Sequence, residues 1–525
     1  MAGGPIAKED GNIDYRTLVD PNKKWYNNRR LMTLNAWMVL LLITSSTVGY
    51  DGSLLNGLQS IDNWHEYFGD PDDNMLGLFS AIQNIGSFCA YFFAPYISDG
   101  LGRRASIFVG CVIMIAATAI QTAAQNVAMF LAARFFIGFG VAFAACAAPL
   151  LISEIAYPTH RAPLTSAYNA LWYSGSIVAA WTTYGTEFMR NSTWAWRIPS
   201  VLQALPSIIQ IGLIFFCPES PRWLINKGRN EQALKILAYY HADGNEEDPL
   251  VKYEYEEIKA AIELDRQVAQ SVGWKTLIAT PGNRRRMRII IALAFFSQWS
   301  GNGLVSYYLN KVFDTVGITN SSTQLLINGI LQVWNLAWAL GAAFVVERAG
   351  RRLLFLTSLG TMTLFFTIMT ICAAVYARDA ERFEKAGHAF IAFIFLYYAA
   401  YDIALSPLIV SYTVEILPFQ IRAKGLSAFN IAISLSLVFN QYVNPVALGK
   451  LQWKYYIVYV CWLAFEFVFC WFFVVETKNR TLEETAALFD GNEKTDELAA
   501  NTAAAVDDKD ASQDEKLSIR GEQKA

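Results

Sequence analysis

The sequence predicts an all-α membrane protein: twelve transmembrane helices in two six-helix halves, with a cytoplasmic helical linker subdomain between them. Three observations carry this. Over 525 residues the composition is 54% hydrophobic and 14% aromatic with positive mean hydropathy, the balance of a chain dissolved in lipid. Twelve apolar stretches approach the roughly 20 residues that a bilayer-crossing helix needs. Charged motifs at the ends of those stretches recur, in the same order, in the second half of the chain.

Residues 1–30 form a tail with Lys23, Lys24, Arg29 and Arg30 directly before the first span, which makes this end cytoplasmic by the positive-inside rule. The first half, 31–217, holds spans near 31–52, 75–97, 105–124, 127–152, 164–187 and 196–217. The loop Ile61–Asn74 carries five acids and no Lys or Arg, so it lies outside. A linker, 218–288, is charged and helix-forming, for example over Asn230–Tyr240 and Pro249–Gln267. The second half, 289–475, holds spans near 289–313, 324–346, 353–376, 388–412, 425–445 and 455–475. The tail 476–525 is cytoplasmic and is expected to be disordered after about 490, where it is rich in Ala, Asp, Glu and Lys. Sequons at Asn191 and Asn320 fall on the outer side. The basic loop around Arg378, Arg382 and Lys385 departs from the charge rule. The seven cysteines have no disulfide or metal spacing.

The repeat is specific. Asp99-x-x-Gly102-Arg103-Arg104 returns as Glu347-x-x-Gly350-Arg351-Arg352, Glu154 and Arg161 return as Glu415 and Arg422, and Glu219 returns as Glu476. Parallel repeats of this kind mark transporters built from two equivalent bundles. The repeated charges are expected to pair across the two halves and form a cytoplasmic gate, the alternative being that the arginines only set topology.

Polarity inside the spans is sorted. Gln298, Asn302 and Ser306 stand four apart on one helical face of the seventh span. Their amides donate and accept as a sugar hydroxyl does, with Trp299, Tyr307 and Tyr308 offering flat faces to a ring. Gln83, Asn84 and Ser87 mark the second span; Asn169, Trp172 and Tyr173 the fifth; Asn328, Gln332 and Asn335 the eighth; Asn430, Ser434 and Gln441 the eleventh. The third and ninth are nearly all apolar. Side chains serving only as interhelical glue would not sort this way, so the polar spans are expected to line a cavity. Asp51 and Arg134 fall at similar depth. A lone charge near mid-membrane costs about 2.5–3.5 kcal/mol or more, so they are expected to pair. The pair is either structural or a proton-coupling device. Asp402 and Glu466 are further acids within spans and have no assigned role.

Together, Asp99–Arg104, Arg134 to Gly140, Glu154 to Arg161, Pro218 to Leu224, Glu347–Arg352, Glu415 to Arg422 and Val475 to Arg480 resemble the sugar porter family of the major facilitator superfamily over nearly all of residues 30–485. Tyr168-Asn169-x-x-Trp172-Tyr173 and Gln298 to Gly303 are similar to its fungal lactose and cellodextrin permease branch. The resemblance implies the major facilitator fold, sugar contacts at Asn169, Gln298 and Asn335, and Asp51 with Arg134 as the proton pair. Trp172, Asn302 and Asn430 join them as candidate sugar-binding residues. It departs from the family pattern at Ser297, Gly303, Val410 and Ile433, which trims hexose contacts and opens room. A disaccharide is favoured; a hexose or pentose remains open. The expectation is a plasma-membrane transporter, not an enzyme, with both termini cytoplasmic and a monomeric transport unit. Its partners are a small sugar and the bilayer, not nucleic acid, and its only cofactor is the proton as coupling ion. An uncoupled facilitator and a sugar sensor are the alternatives.

Overall fold

The computed structural model describes residues 25–189, 192–271, 273–379, 381–406, 408–478, 485 and 488–490. Among these, regular structure is entirely helical. The first half comprises α1 (Arg29–Leu58), α2 (Asp62–Phe68), α3 (Asp73–Ala90), α4 (Ala94–Leu101), α5 (Arg103–Thr122), α6 (Val127–Ile155), α7 (Pro158–Ala170), α8 (Trp172–Glu187), α9 (Trp194–Leu202) and α10 (Leu205–Leu213). The linker holds α11 (Pro221–Asn226), α12 (Asn230–His241), α13 (Pro249–Ser271) and α14 (Thr276–Ala279). The second half comprises α15 (Pro281–Trp299), α16 (Asn302–Asp314), α17 (Ser321–Ala349), α18 (Arg351–Tyr376), α19 (Glu384–Ala404), α20 (Leu408–Ile416), α21 (Phe419–Leu451) and α22 (Tyr455–Phe473).

Eight helical stretches are each long and apolar enough to cross a membrane, and the bent pair α3–α4 makes a ninth. One of the eight, Lys424–Phe473, contains most of α21 and all of α22. The stretches α7–α8 and α9–α10 are broken, the first at Leu171 and the second at Gln203–Ala204, the latter just ahead of Pro206, whose ring removes a backbone donor. Helix starts are set by side chains that take up free backbone N–H groups. Asn28 accepts from Arg30 and Leu31, Asp72 from Met75, and Asn126 from Met129. The exposed sequon residue Asn320 is itself a cap, accepting from Thr323 N–H; Asn191 lies outside the described residues, as does the tail beyond 490.

Within the first half α1 packs on α8, and α3 and α5 pack on α6; within the second, α18 packs on α19 and α22, and α15 on α21. The α1–α8 seam is backbone on backbone. A Cβ at Gly49 would lie 1.8 Å from Trp172 O, and one at Gly175 would lie 1.7 Å from Ser46 O. Such close approach is how lipid-embedded helices gain packing where no hydrophobic force drives them together. The halves meet where α3 packs on α21, α8 on α17 and α1 on α16.

Candidate functional site: a polar cavity between the halves

A cavity of about 500 Å³ lies between the halves, within the range of small-molecule sites. The seventh span is broken at its wall. Ser300 and Gly301 end α15, with Gly301 at φ +103°, a left-handed conformation that only glycine adopts cheaply. A Cβ there would also lie 2.7 Å from Phe366. Despite the break, Gln298, Asn302 and Ser306 all face the cavity. Asn302 donates to Tyr401 OH at 3.0 Å, and Ser306 shares a hydrogen bond of 2.6 Å with Tyr398 OH. Gln298 reaches only its neighbour Ser297, at 3.2 Å, which leaves its amide oxygen available.

Asn169, Trp172 and Asn430 also line the cavity, with Gln83, Asn84 and Gln441. Asn84 and Gln441 hydrogen-bond to one another and so join α3 to α21. The apolar α5 and α18 contribute nothing to the wall. Three expectations are corrected. Asn335 is 1% exposed and does not line the cavity. The polar face of α17 turns instead to the seam between halves, with Gln332 on Asn328 and Asn328 facing Asn56 at 3.5 Å. Of the three aromatic residues expected to face a sugar ring, only Tyr307 lines the cavity. Trp299 donates to Ser436 O on another side of the helix, and Tyr308 is buried with its hydroxyl on Gln441 O.

Sequence reasoning missed the contribution of α19. Tyr398 and Tyr401 line the cavity, and Asp402 accepts from Tyr173 OH of the other half at 2.7 Å. The spacing of Tyr398, Tyr401 and Asp402 at i, i+3 and i+4 was the available signal.

Asp51 and Arg134 lie close enough to act on one another electrostatically, but the expected direct ion pair is not formed. Arg134 lines the cavity, and its guanidinium donates to Phe79 O at 3.0 Å and to Gln83 Oε1. Asp51 is fully buried, and neither carboxyl oxygen has a hydrogen-bond partner. The nearby amide of Gln83 competes for the guanidinium, and a sequence cannot show which acceptor wins.

The repeated charges form two matching clusters, each inside its own half. In the first, Glu219 accepts from the backbone N–H of Arg103 and Arg104 at the start of α5, both at 3.2 Å. Arg103 then bonds Glu154 at 3.1 Å and Asp99 at 3.0 Å. In the second, Glu476 accepts from the N–H of Arg351 and Arg352 at 2.9 and 3.0 Å, and Arg351 bonds Glu415 at 3.0 Å. A carboxylate at a helix N-terminus is favoured by the free N–H groups and the helix dipole. Gly102 and Gly350, at φ +109° and +93°, make the two turns equivalent. Burial pushes the Glu476 carboxyl up, but the N–H groups of Lys478, Arg351, Arg352 and Thr477 together hold it below the ordinary glutamate value. Arg161 pairs with Glu254 of the linker at 3.6 Å, and Arg422 bonds Leu417 O at 3.3 Å. The side chain of Glu347 lies outside the described residues. In this conformation Arg103, Arg104, Arg351 and Arg352 thus bond within their own halves. Besides Asn84–Gln441 and Tyr173–Asp402 at the cavity, the inter-half bonds gather at the opposite end, where Lys311 pairs with Asp73, Asn310 Nδ2 donates to Gln59 O at 3.0 Å, Leu309 N–H donates to Asn56 at 3.1 Å, and Ser321 donates to Asp62 at 3.0 Å.

Comparison with known proteins agrees with this architecture. The inward-open xylose transporter XylE from E. coli superposes with a TM-score of 0.71 at 23% identity, over 87% of this chain and all of that one. The chain is 29% identical to an MFS-type transporter of Aspergillus oryzae, over 91% of its own length and 89% of that protein's. It is 28% identical to the high-affinity glucose transporter of Kluyveromyces lactis, over 84% and 82%. It is likewise 28% identical to the quinate permease of Neurospora terricola, over 90% of each. The family model for sugar (and other) transporters matches residues 37–489. A transporter architecture of two repeated bundles around a polar cavity, matched over this span, makes the chain a member of the sugar transporter family of the major facilitator superfamily.

Proposed function

We propose that this protein is a proton-coupled sugar symporter of a plasma membrane, with twelve passes and both termini cytoplasmic. The observation that carries the coupling is Asp51, buried and unpartnered beside a sugar-sized cavity whose wall includes Arg134. A buried carboxylate with neither hydrogen bond nor ion pair is costly, and a proton removes that cost. In the opposite conformation Asp51 meets Arg134, and the ion pair replaces the proton. A substrate that favours the same state as the proton is thereby coupled to it, and linkage makes the coupling reciprocal. A solved structure of XylE described as a proton:xylose symporter has the same fold.

The substrate is a neutral sugar, a disaccharide of the lactose or cellobiose type or a monosaccharide. The cavity offers it the amides of Gln298, Asn302, Asn169 and Asn430 and the hydroxyls of Tyr398 and Tyr401. With the inter-half bonds at the acidic-loop end, this conformation is closed to the outside. The clusters around Arg103 and Arg351 serve as the cytoplasmic gate of the other state, where the two halves approach there. Two measurements test the reading. Uptake of labelled cellobiose, lactose, glucose and xylose in a transport-null host identifies the substrate. Asp51→Asn, reconstituted in vesicles, should exchange sugar but neither accumulate it under an imposed pH gradient nor move protons. Accumulation against the sugar gradient by this variant would remove Asp51 as the proton site and leave Asp402 as the next candidate.

A further inference from the structure

Apart from the central cavity, the molecule holds a second hollow of about 550 Å³ between α15, α21 and α22. Trp299, Phe439, Val458 and Trp462 wall it, and Asn444 and Tyr455 stand at its other end. Phe439, Ile457, Val458 and Cys461 are exposed along the rim. The rim belongs to apolar spanning helices, so in a bilayer it meets lipid rather than water.

The hollow has one polar demand. Asn444 is 1% exposed, and its Oδ1 already accepts from Tyr455 at 3.0 Å and from Tyr459 at 2.6 Å. Its Nδ2 is a buried donor with no acceptor, a state that costs free energy until an oxygen arrives. Asn444 precedes the Leu451 end of α21 by seven residues, about 10 Å along a helix. That places the donor near the polar boundary of the bilayer and the aromatic walls deeper in hydrocarbon. The walls are aromatic and rigid, with Trp299 5.0 Å from Phe439 at 35° and 5.6 Å from Trp462 at 54°. An acyl chain would surrender many rotatable bonds to lie there, whereas a rigid fused-ring body surrenders few.

The geometry points to a sterol site, with the sterol hydroxyl oxygen accepting from Asn444 Nδ2 and the ring system lying against Trp299, Phe439 and Trp462. The site has a route to the substrate. Gln298 lines the central cavity and its neighbour Trp299 lines the hollow, just before the break at Ser300–Gly301. Trp299 Nε1 bonds Ser436 O at 3.0 Å, and Asn440 Nδ2 bonds Gln298 O at 2.7 Å. A sterol that braces Trp299 therefore braces the turn that presents Gln298. The site needs the bilayer but neither the proton coupling nor the substrate proposed above, so it stands or falls separately.

The test uses the full chain in phosphatidylcholine vesicles with and without cholesterol. Alkylation of Cys461 by a membrane-permeant maleimide should slow at least severalfold with cholesterol, while that of Cys372, away from the hollow, should not. A photoreactive cholesterol analogue should label peptides of α21 and α22, be competed by cholesterol, and lose that labelling in Val458→Trp, which fills the hollow. Unchanged Cys461 rates, label spread evenly over lipid-facing helices, or labelling that survives Val458→Trp would each overturn the site. A phospholipid retained there and not displaced by cholesterol would overturn the sterol assignment. If Val458→Trp does not fold, the Cys461 rates on the native chain decide.

Discussion

Replacing Asn56 by Ala probes what keeps the acidic-loop end shut. Asn56 Oδ1 accepts from Leu309 N–H at 3.1 Å, beside a kink where Tyr308 departs from helical geometry at φ −138° and ψ 36°. Both Asn56 and Leu309 are 3% exposed. The contact of Asn56 Nδ2 with Asn328, at 3.5 Å, adds little. Truncation leaves a buried backbone donor without this acceptor, a cost of about 1–3 kcal/mol. When the halves part at this end, water takes the place of Asn56 and the cost vanishes. The variant should therefore shift the equilibrium toward the outward-facing state by about 5- to 150-fold. Hydrogen exchange followed by mass spectrometry reads this directly, because opening frees the amides at the end of α1 and in α16 together. Faster exchange in both segments, by a comparable factor, is the expected result. Unchanged exchange, or acceleration confined to α16, would show that the bond is local and that Asn56 does not hold the halves together.

Three further outcomes are expected. Gln298→Ala and Asn302→Ala should each weaken sugar binding by about 1–3 kcal/mol, because a substrate hydroxyl loses its amide partner; calorimetry on the purified protein measures this, and wild-type affinity in both would place the sugar elsewhere. Gly301→Ala should cost at least about 1–2 kcal/mol for the left-handed backbone alone, with the Phe366 contact adding to it, and should appear as a lower thermal midpoint. Glu476, held below its ordinary value of 4.5, contributes stability that is fully present above that value and is lost as pH falls through its lower folded value. Glu476→Gln should therefore be less stable at neutral pH, with the difference shrinking in acid; a constant difference down the acid range would remove the carboxylate's charge from the explanation.

The sequence alone determined which segments are apolar, where polarity interrupts them and which charges recur. These are local patterns, and lipid enforces them. A span of given length must be helical, and an amide within it must face protein or water. Gln298, Asn302, Ser306, Asn169 and Asn430 therefore reach the cavity wall even though the seventh span breaks between the first two. The recurrence of Glu219 as Glu476 was legible as spacing, and the structure supplies its cause: each carboxylate caps the helix that begins with the twin arginines. Partner choice between segments distant in sequence was not legible. Arg134 takes Gln83 and Phe79 O rather than Asp51, Tyr173 finds Asp402 across the halves, and Asn335 stays off the cavity wall. Several acceptors lie within reach of each such group, and their order along the chain does not rank them. Periodicity sets the face a side chain occupies, but only the tertiary arrangement, in one conformation, decides what stands opposite that face.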